Sequence, residues 1–139
     1  MWLPTRAALA DDAQALLARE HQSLQAVCGK CHNLELVTSA QKSFDDWDDT
    51  MQMMIDRGAR GTDQQFDDIL DYLHRTQSTI NVNYADAHEL QIVLNVSAMV
   101  AQAIIARREA SPFKGLDDLK SVAGLDTESL NTRSRLIFF

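Results

Sequence analysis

The chain has 139 residues, with 13 Lys and Arg against 20 Asp and Glu, a formal net charge of −7. That length fits one ordinary domain or two very small ones, and a hydrophobic content of 45% excludes disorder as a description of the whole. No apolar run approaches the roughly 18–20 residues a membrane-spanning helix requires, and two cysteines three positions apart exclude a disulfide-stapled framework.

The opening residues, Met1 to Arg6, are too short for a complete secretory signal. Ala8-Leu9-Ala10 before Asp11 reads in two ways: as a cleavage site at the tail of a trimmed signal, or as the alanine-rich start of a helix. Ala13, Leu16, Leu17, Leu24 and Val27 then recur at helical spacing, with Asp11 and Asp12 placed to complement the helix dipole.

Directly after this helix stands Cys28-Gly29-Lys30-Cys31-His32, the Cys-x-x-Cys-His pattern of covalent haem attachment. Two thiols one turn apart can each add to a vinyl group of one porphyrin, and the next residue aims an imidazole at the iron from the same side. A thioredoxin-like pair expects a strand–helix setting, and a zinc site wants a second pair of ligands. Here the motif follows a helix and precedes a polar segment from Asn33 to Lys42, and only three other histidines exist: His21, His74 and His88. Each of those reads first as a solvated surface residue.

A second helix is expected from Phe44 to Arg57, with Phe44, Trp47, Met51, Met54 and Ile55 on one face and Gly58 as its stop. A third opens on Thr62 and Gln65 in capping-box spacing and runs through Phe66, Ile69, Leu70 and Leu73. About sixty residues with so few large apolar side chains make a thin core, and a buried porphyrin would fill it. Thr76-Gln77-Ser78-Thr79 then reads as a polar joint between domains at 11–76 and 80–139. The first part, with Arg6, carries a net charge of −6 and the second −1.

From Cys28 to about Tyr72 the chain resembles a small bacterial class I-type cytochrome c domain. The resemblance is carried by Trp47, Met51, Met54, Arg57, Gly58, Ala59, Phe66, Ile69, Tyr72 and Leu73 after the haem motif. It implies Cys28 and Cys31 as thioether anchors of one haem c, and His32 as proximal iron ligand. It also implies as distal ligand the methionine four residues before the Gly-Ala pair, Met54. Met51 shares the Met54 face and is the rival, whereas Met53 should point away, since one helical residue is about 100° of rotation. Methionine opposite histidine raises the potential and closes the sixth position, so the implied role is one-electron transfer. Arg57 and Arg60 are candidates for haem propionates or for plain solvated charge, and Trp47 for haem packing or for core.

From Ile80 to Phe139 the chain resembles the paired helix-hairpin-helix domain of bacterial competence proteins that bind DNA. The matching residues are Ile80 to Asn83, Ala85, Glu89 to Gln91, Ala101 to Glu109, Pro112-Phe113, Leu116 to Leu119 and Val122 to Leu125. Asp86 and Glu89 stand in capping-box spacing, and Ile92, Met99, Ile104, Ile105, Phe113, Leu119, Val122 and Leu125 are the expected core. DNA-binding relatives carry a Gly-hydrophobic-Gly turn in each hairpin, because backbone amides must approach phosphate closely. Here the turns read Asn95-Val96-Ser97 and Gly124-Leu125-Asp126. Arg107, Arg108, Lys114 and Lys120 are a modest basic set for duplex binding.

The expected fold class is all-α: a cytochrome c-like haem domain followed by a small helix-hairpin-helix domain with degenerate turns. The expected function is a periplasmic, or otherwise extracytoplasmic, electron carrier rather than an enzyme, with a redox partner protein and the second domain as a docking or structural element. DNA is a disfavoured partner. The alternatives are a DNA-binding or DNA-uptake protein that carries a haem, and a haem sensor or enzyme with a displaceable sixth ligand.

Overall fold

A computed structural model describes residues 6–139; the expected signal tail before Arg6 lies outside them. The described chain is mostly helical, with eight α-helices and one pair of two-residue strands. It divides into two compact units: the described residues through Ala40 with Asp48–Leu73, and Gln41–Trp47 with His74–Phe139.

In the first unit, α1 (Arg6–Val27) starts earlier than the sequence suggests. Asp11 and Asp12 therefore lie inside the helix, and the first turn holds no acid. Glu20, Ser23, Leu24 and Val27 are buried, while Leu9, Leu16 and Leu17 on the same stripe stay exposed. The polar segment after the cysteine motif is not a plain loop: it holds α2 (Leu34–Thr38), capped by Asn33, whose side chain accepts from the Glu35 N–H at 3.1 Å.

α3 (Phe44–Asp56) begins where Ser43 Oγ accepts from the Asp46 N–H at 3.1 Å. It ends as Gly58 predicts. At φ +104° this glycine enters the left-handed region, its N–H donates to Ile55 O at 2.9 Å, and the next N–H, of Ala59, donates to Met54 O at 2.9 Å. These are the paired bonds of a Schellman stop. α4 (Asp63–Gln77) opens on the expected capping box, with Gln65 N–H on Thr62 Oγ1 at 3.2 Å and Thr62 N–H on Gln65 Oε1 at 3.0 Å.

α1 and α4 are tied by a buried carboxylate. Asp68, only 2% exposed, accepts from Arg19, Ser23 and Gln64. Burial on its own raises this carboxyl's pKa; those three hydrogen bonds and the Arg19 charge bring it below the ordinary value. Gly61 lies so near Val27 that a Cβ would stand 2.8 Å from Val27 Cγ2.

The second unit holds the contiguous apolar core: Phe44, Ile80, Val82, Ala85, Leu90, Val93, Leu94, Ala101, Ile104, Phe113, Leu119, Leu130, Leu136 and Ile137. Of the core expected here, Ile104, Phe113 and Leu119 are buried, and Ile92, Ile105, Val122 and Leu125 pack partly buried against it. Met99 does not belong to it: it is 79% exposed. Two residues before Ala101, it sits about 200° around the helix from that buried position.

The stretch 76–79 is not a free joint. α4 runs to Gln77, and Gln77 and Ser78 are buried. The Thr79 N–H donates to Lys42 O at 2.8 Å, and Lys42 pairs with Ser78 in a parallel bridge. β1 (Ile80–Asn81) then pairs in parallel with β2 (Ile137–Phe138), Ile80 beside Ile137. This small sheet departs from the all-α expectation. Its cause is the return of the chain end to the start of the unit, which leaves backbone donors there to be matched.

Among the described residues no single helix is long and apolar enough to cross a membrane.

Candidate functional site

Two places carry chemistry. The first is the turn that follows α1. Cys28–Lys30 form one 3-10 turn, and Cys28 O accepts both the Cys31 N–H at 3.2 Å and the His32 N–H at 3.0 Å. The main chain of Cys28, Cys31 and His32 is thus wound around one carbonyl, which fixes their backbone positions relative to one another. Cys28 is half-buried and Cys31 exposed. Burial pushes the Cys28 thiol up from its ordinary pKa.

The donor set fits haem c: two thiols for two vinyl groups and a neighbouring imidazole. The rest of the unit fits it too. Leu34, Val37, Met54, Ile55, Ala59, Phe66 and Leu70 are half-buried, and Leu36 is 64% exposed. These are apolar side chains that the unit's own few buried residues do not cover. Of the methionines on α3, Met51 is buried, Met54 half-buried and Met53 exposed, in keeping with the helical spacing.

The other candidates are placed plainly. Arg57 and Arg60 are exposed. Trp47 is buried in the second unit, where its indole N–H donates to Gln77 O at 3.3 Å, so core and helix-end contacts account for it. His21 meets Tyr72 edge-on at 5.2 Å. His74 stacks on Phe44 at 4.2 Å, and His88 meets the same ring at 6.2 Å.

The second place is the pair of hairpin turns. α5 (Ala87–Leu94) starts on the expected capping box of Asp86 and Glu89, and ends at Asn95 with φ 55°. That is a left-handed position in which asparagine replaces glycine at little cost. Ser97 caps α6 (Ala98–Ala110), accepting from the Val100 N–H at 3.3 Å. In the other hairpin, α7 (Leu116–Leu119) leads to Gly124 at φ +90°. Asp126 then caps α8 (Thr127–Thr132), accepting from the Glu128 N–H at 3.1 Å.

Each turn thus keeps its left-handed first residue, while its third has become a side-chain helix cap. The two turns, with Leu94, Val100, Ser129 and Leu130, line one cleft of 240 Å³. Gly124 allows the close approach, since a Cβ there would stand 2.8 Å from Val100 Cγ2.

The basic residues expected to face phosphate are largely committed inside the unit. Arg107 pairs with Asp118 at 2.9 Å and lies over the Phe113 ring, while Lys120 pairs with Asp117 at 3.1 Å. Arg108 donates to Val82 O and Ala85 O at 2.9 and 2.6 Å. The Lys120–Asp117 pair is local, three residues apart, whereas nothing in the sequence marked the bonds of Arg107 to Asp118 and of Arg108, whose partners are eleven or more residues away.

Residues 75–136 match the family model described as the helix-hairpin-helix motif. No curated protein and no solved structure matches the chain. The match spans both hairpins and the core between them, so the chain carries a helix-hairpin-helix domain at residues 75–136.

Proposed function

We propose that the chain is an extracytoplasmic monohaem c-type cytochrome that transfers single electrons, with its helix-hairpin-helix domain serving to dock or brace it. The observation that carries this reading is the turn in which the Cys28 carbonyl accepts the N–H groups of both Cys31 and His32. Bound there, haem c would supply a one-electron iron couple, and a methionine as second iron ligand would raise its potential.

The chain's own residues hold and shield that couple. Cys28 and Cys31 would anchor the porphyrin, and His32 would ligate its iron. Met54 would supply the second iron ligand: it is half-buried, whereas Met51 is buried. Leu34, Val37, Ile55, Phe66 and Leu70 would exclude water from the group. The location follows from the resemblance, since covalent haem attachment in bacteria takes place outside the cytoplasmic membrane.

The test is the absorption spectrum of the purified protein, oxidised and reduced. Sharp ferrous α and β bands that persist after acid–acetone extraction are expected, together with a near-infrared methionine–iron band lost in Met54→Ala. A chain that takes up no haem when expressed with the attachment machinery sinks the reading. Retention of the near-infrared band in Met54→Ala assigns Met51, and carbon monoxide binding to the reduced wild type favours a sensor.

The family match supports a second reading, DNA binding through the hairpins. Against it stand the aspartate at the second turn and the committed arginines, because phosphate affinity needs amides and cations free to meet it. No duplex shift at low ionic strength would remove it.

A further inference from the structure

Each hairpin turn spends its third residue on a helix cap, and the two caps leave different things behind. Ser97 is neutral, and its hydroxyl oxygen is taken up by the Val100 N–H. Asp126 brings a charge: its Oδ1 accepts from the Glu128 N–H at 3.1 Å, which leaves Oδ2. Two other carboxylates of this unit are neutralised, Asp118 by Arg107 and Asp117 by Lys120. Among the described residues no cation pairs with Asp126.

Asp126 lines the 240 Å³ cleft between the turns, and no Lys, Arg or His stands among the lining residues. Leu94 and Leu130 line it from the core, while Val96, Val100 and Leu125 are half-buried there. Asn95, Ser97 and Ser129 add polar side chains to the same lining. Gly124 lies against Val100 of the other hairpin, so the two walls are packed together before any ligand arrives.

We propose that this cleft is the docking site of the domain, and that it takes a lysine or arginine side chain from a segment of a partner protein. Such a side chain has both halves the cleft asks for. A hydrocarbon stem lies along Val96, Val100 and Leu125, and a cationic head meets the Asp126 carboxylate. A phosphate is repelled by that carboxylate, and a purely apolar side chain would bury its charge unpaired. The inference deepens the docking role proposed for this domain and rests on it, but it needs nothing from the haem.

The experiment titrates the ¹⁵N-labelled full chain, kept reduced and at low ionic strength, with a blocked tripeptide whose central residue is arginine. Counterparts with central lysine and central glutamine are run in parallel. Saturable shifts are expected for the two cationic peptides at the amides of residues 95–97 and 124–130, and none for the glutamine peptide. Asp126→Asn keeps the cap and should weaken the cationic peptides about tenfold. Asp117→Asn, outside the cleft lining, should leave them unchanged.

Equal binding of the glutamine peptide, unchanged affinity in Asp126→Asn, or shifts centred away from the two turns overturns the proposal. So does failure of both cationic peptides to bind. A short DNA duplex is the rival occupant: shifts at the same amides that strengthen in Asp126→Asn would give the cleft to a nucleic acid instead. Concentration-dependent shifts of the free chain there would give it to a second copy instead. A haem spectrum with no peptide binding removes the docking site alone. Peptide binding by a chain without haem removes the cytochrome and leaves the site.

Discussion

At the level of single residues, the positions that do most are those whose backbone or charge leaves no alternative. Asp68 is buried with Arg19, Ser23 and Gln64 around it, and its pKa in the fold lies below the ordinary carboxylate value. A group depressed in this way adds stability above its unfolded pKa of about 3.9, and that contribution is lost as pH falls through the folded value. Asp68→Asn should therefore lower stability near neutrality and flatten the acid limb of a denaturation-midpoint profile below about pH 4. An unchanged acid limb would refute this role. Gly124 is fixed for another reason, since it combines φ +90° with a Cβ position 2.8 Å from Val100. Gly124→Ala should destabilise the second unit by about 1–3 kcal/mol, read from urea midpoints at constant m. Gly124 was legible as a turn residue, but the Val100 neighbour was not, because it belongs to the other hairpin.

Among the elements, helix ends were read from sequence more faithfully than helix faces. The caps at Thr62 and Asp86 and the stop at Gly58 all form, because each is local: the side chain, the orphan N–H and the turn lie within four residues. Thr62→Ala should cost about 1 kcal/mol, seen as a loss of about 4–8 °C in the melting of the first unit. The hairpin caps make a sharper test. Asp126→Asn keeps the cap and removes the charge, so it should leave stability within about 0.5 kcal/mol, whereas Asp126→Ala should cost about 1 kcal/mol. Equal losses from both would mean that the carboxylate charge, not the cap, is what α8 uses. Faces were harder. Met99 and Leu16 fit apolar stripes and lie exposed, since a stripe shows what a helix can bury and not whether a neighbour arrives to cover it.

For the molecule as a whole, the two units differ in how they are held. The second owns a contiguous apolar core, whereas the buried apolar residues of the first are few: Leu24, Val27, Met51, Ile69, Tyr72 and Leu73. If haem c completes the first unit, a Cys28→Ala/Cys31→Ala chain should lose a large part of its helix signal at temperatures where residues 80–139 still melt cooperatively. The readout is far-UV circular dichroism alongside amide shifts of Val93 and Ile104. A single unchanged transition would show that the first unit stands without the group. Sequence alone determined the helical class, the cysteine–histidine turn, the caps and the hairpin pattern, since each depends on residues a few positions apart. Only tertiary structure decided that Phe44 and Trp47 serve the second unit, that Gln77 and Ser78 are buried, and that Ile137–Phe138 closes a parallel strand pair. It also decided that Arg107, Arg108, Arg133 and Arg135 are bound to carbonyls or a carboxylate of their own unit. Those outcomes depend on which distant segment meets which, and a residue's own pattern carries no record of its partner.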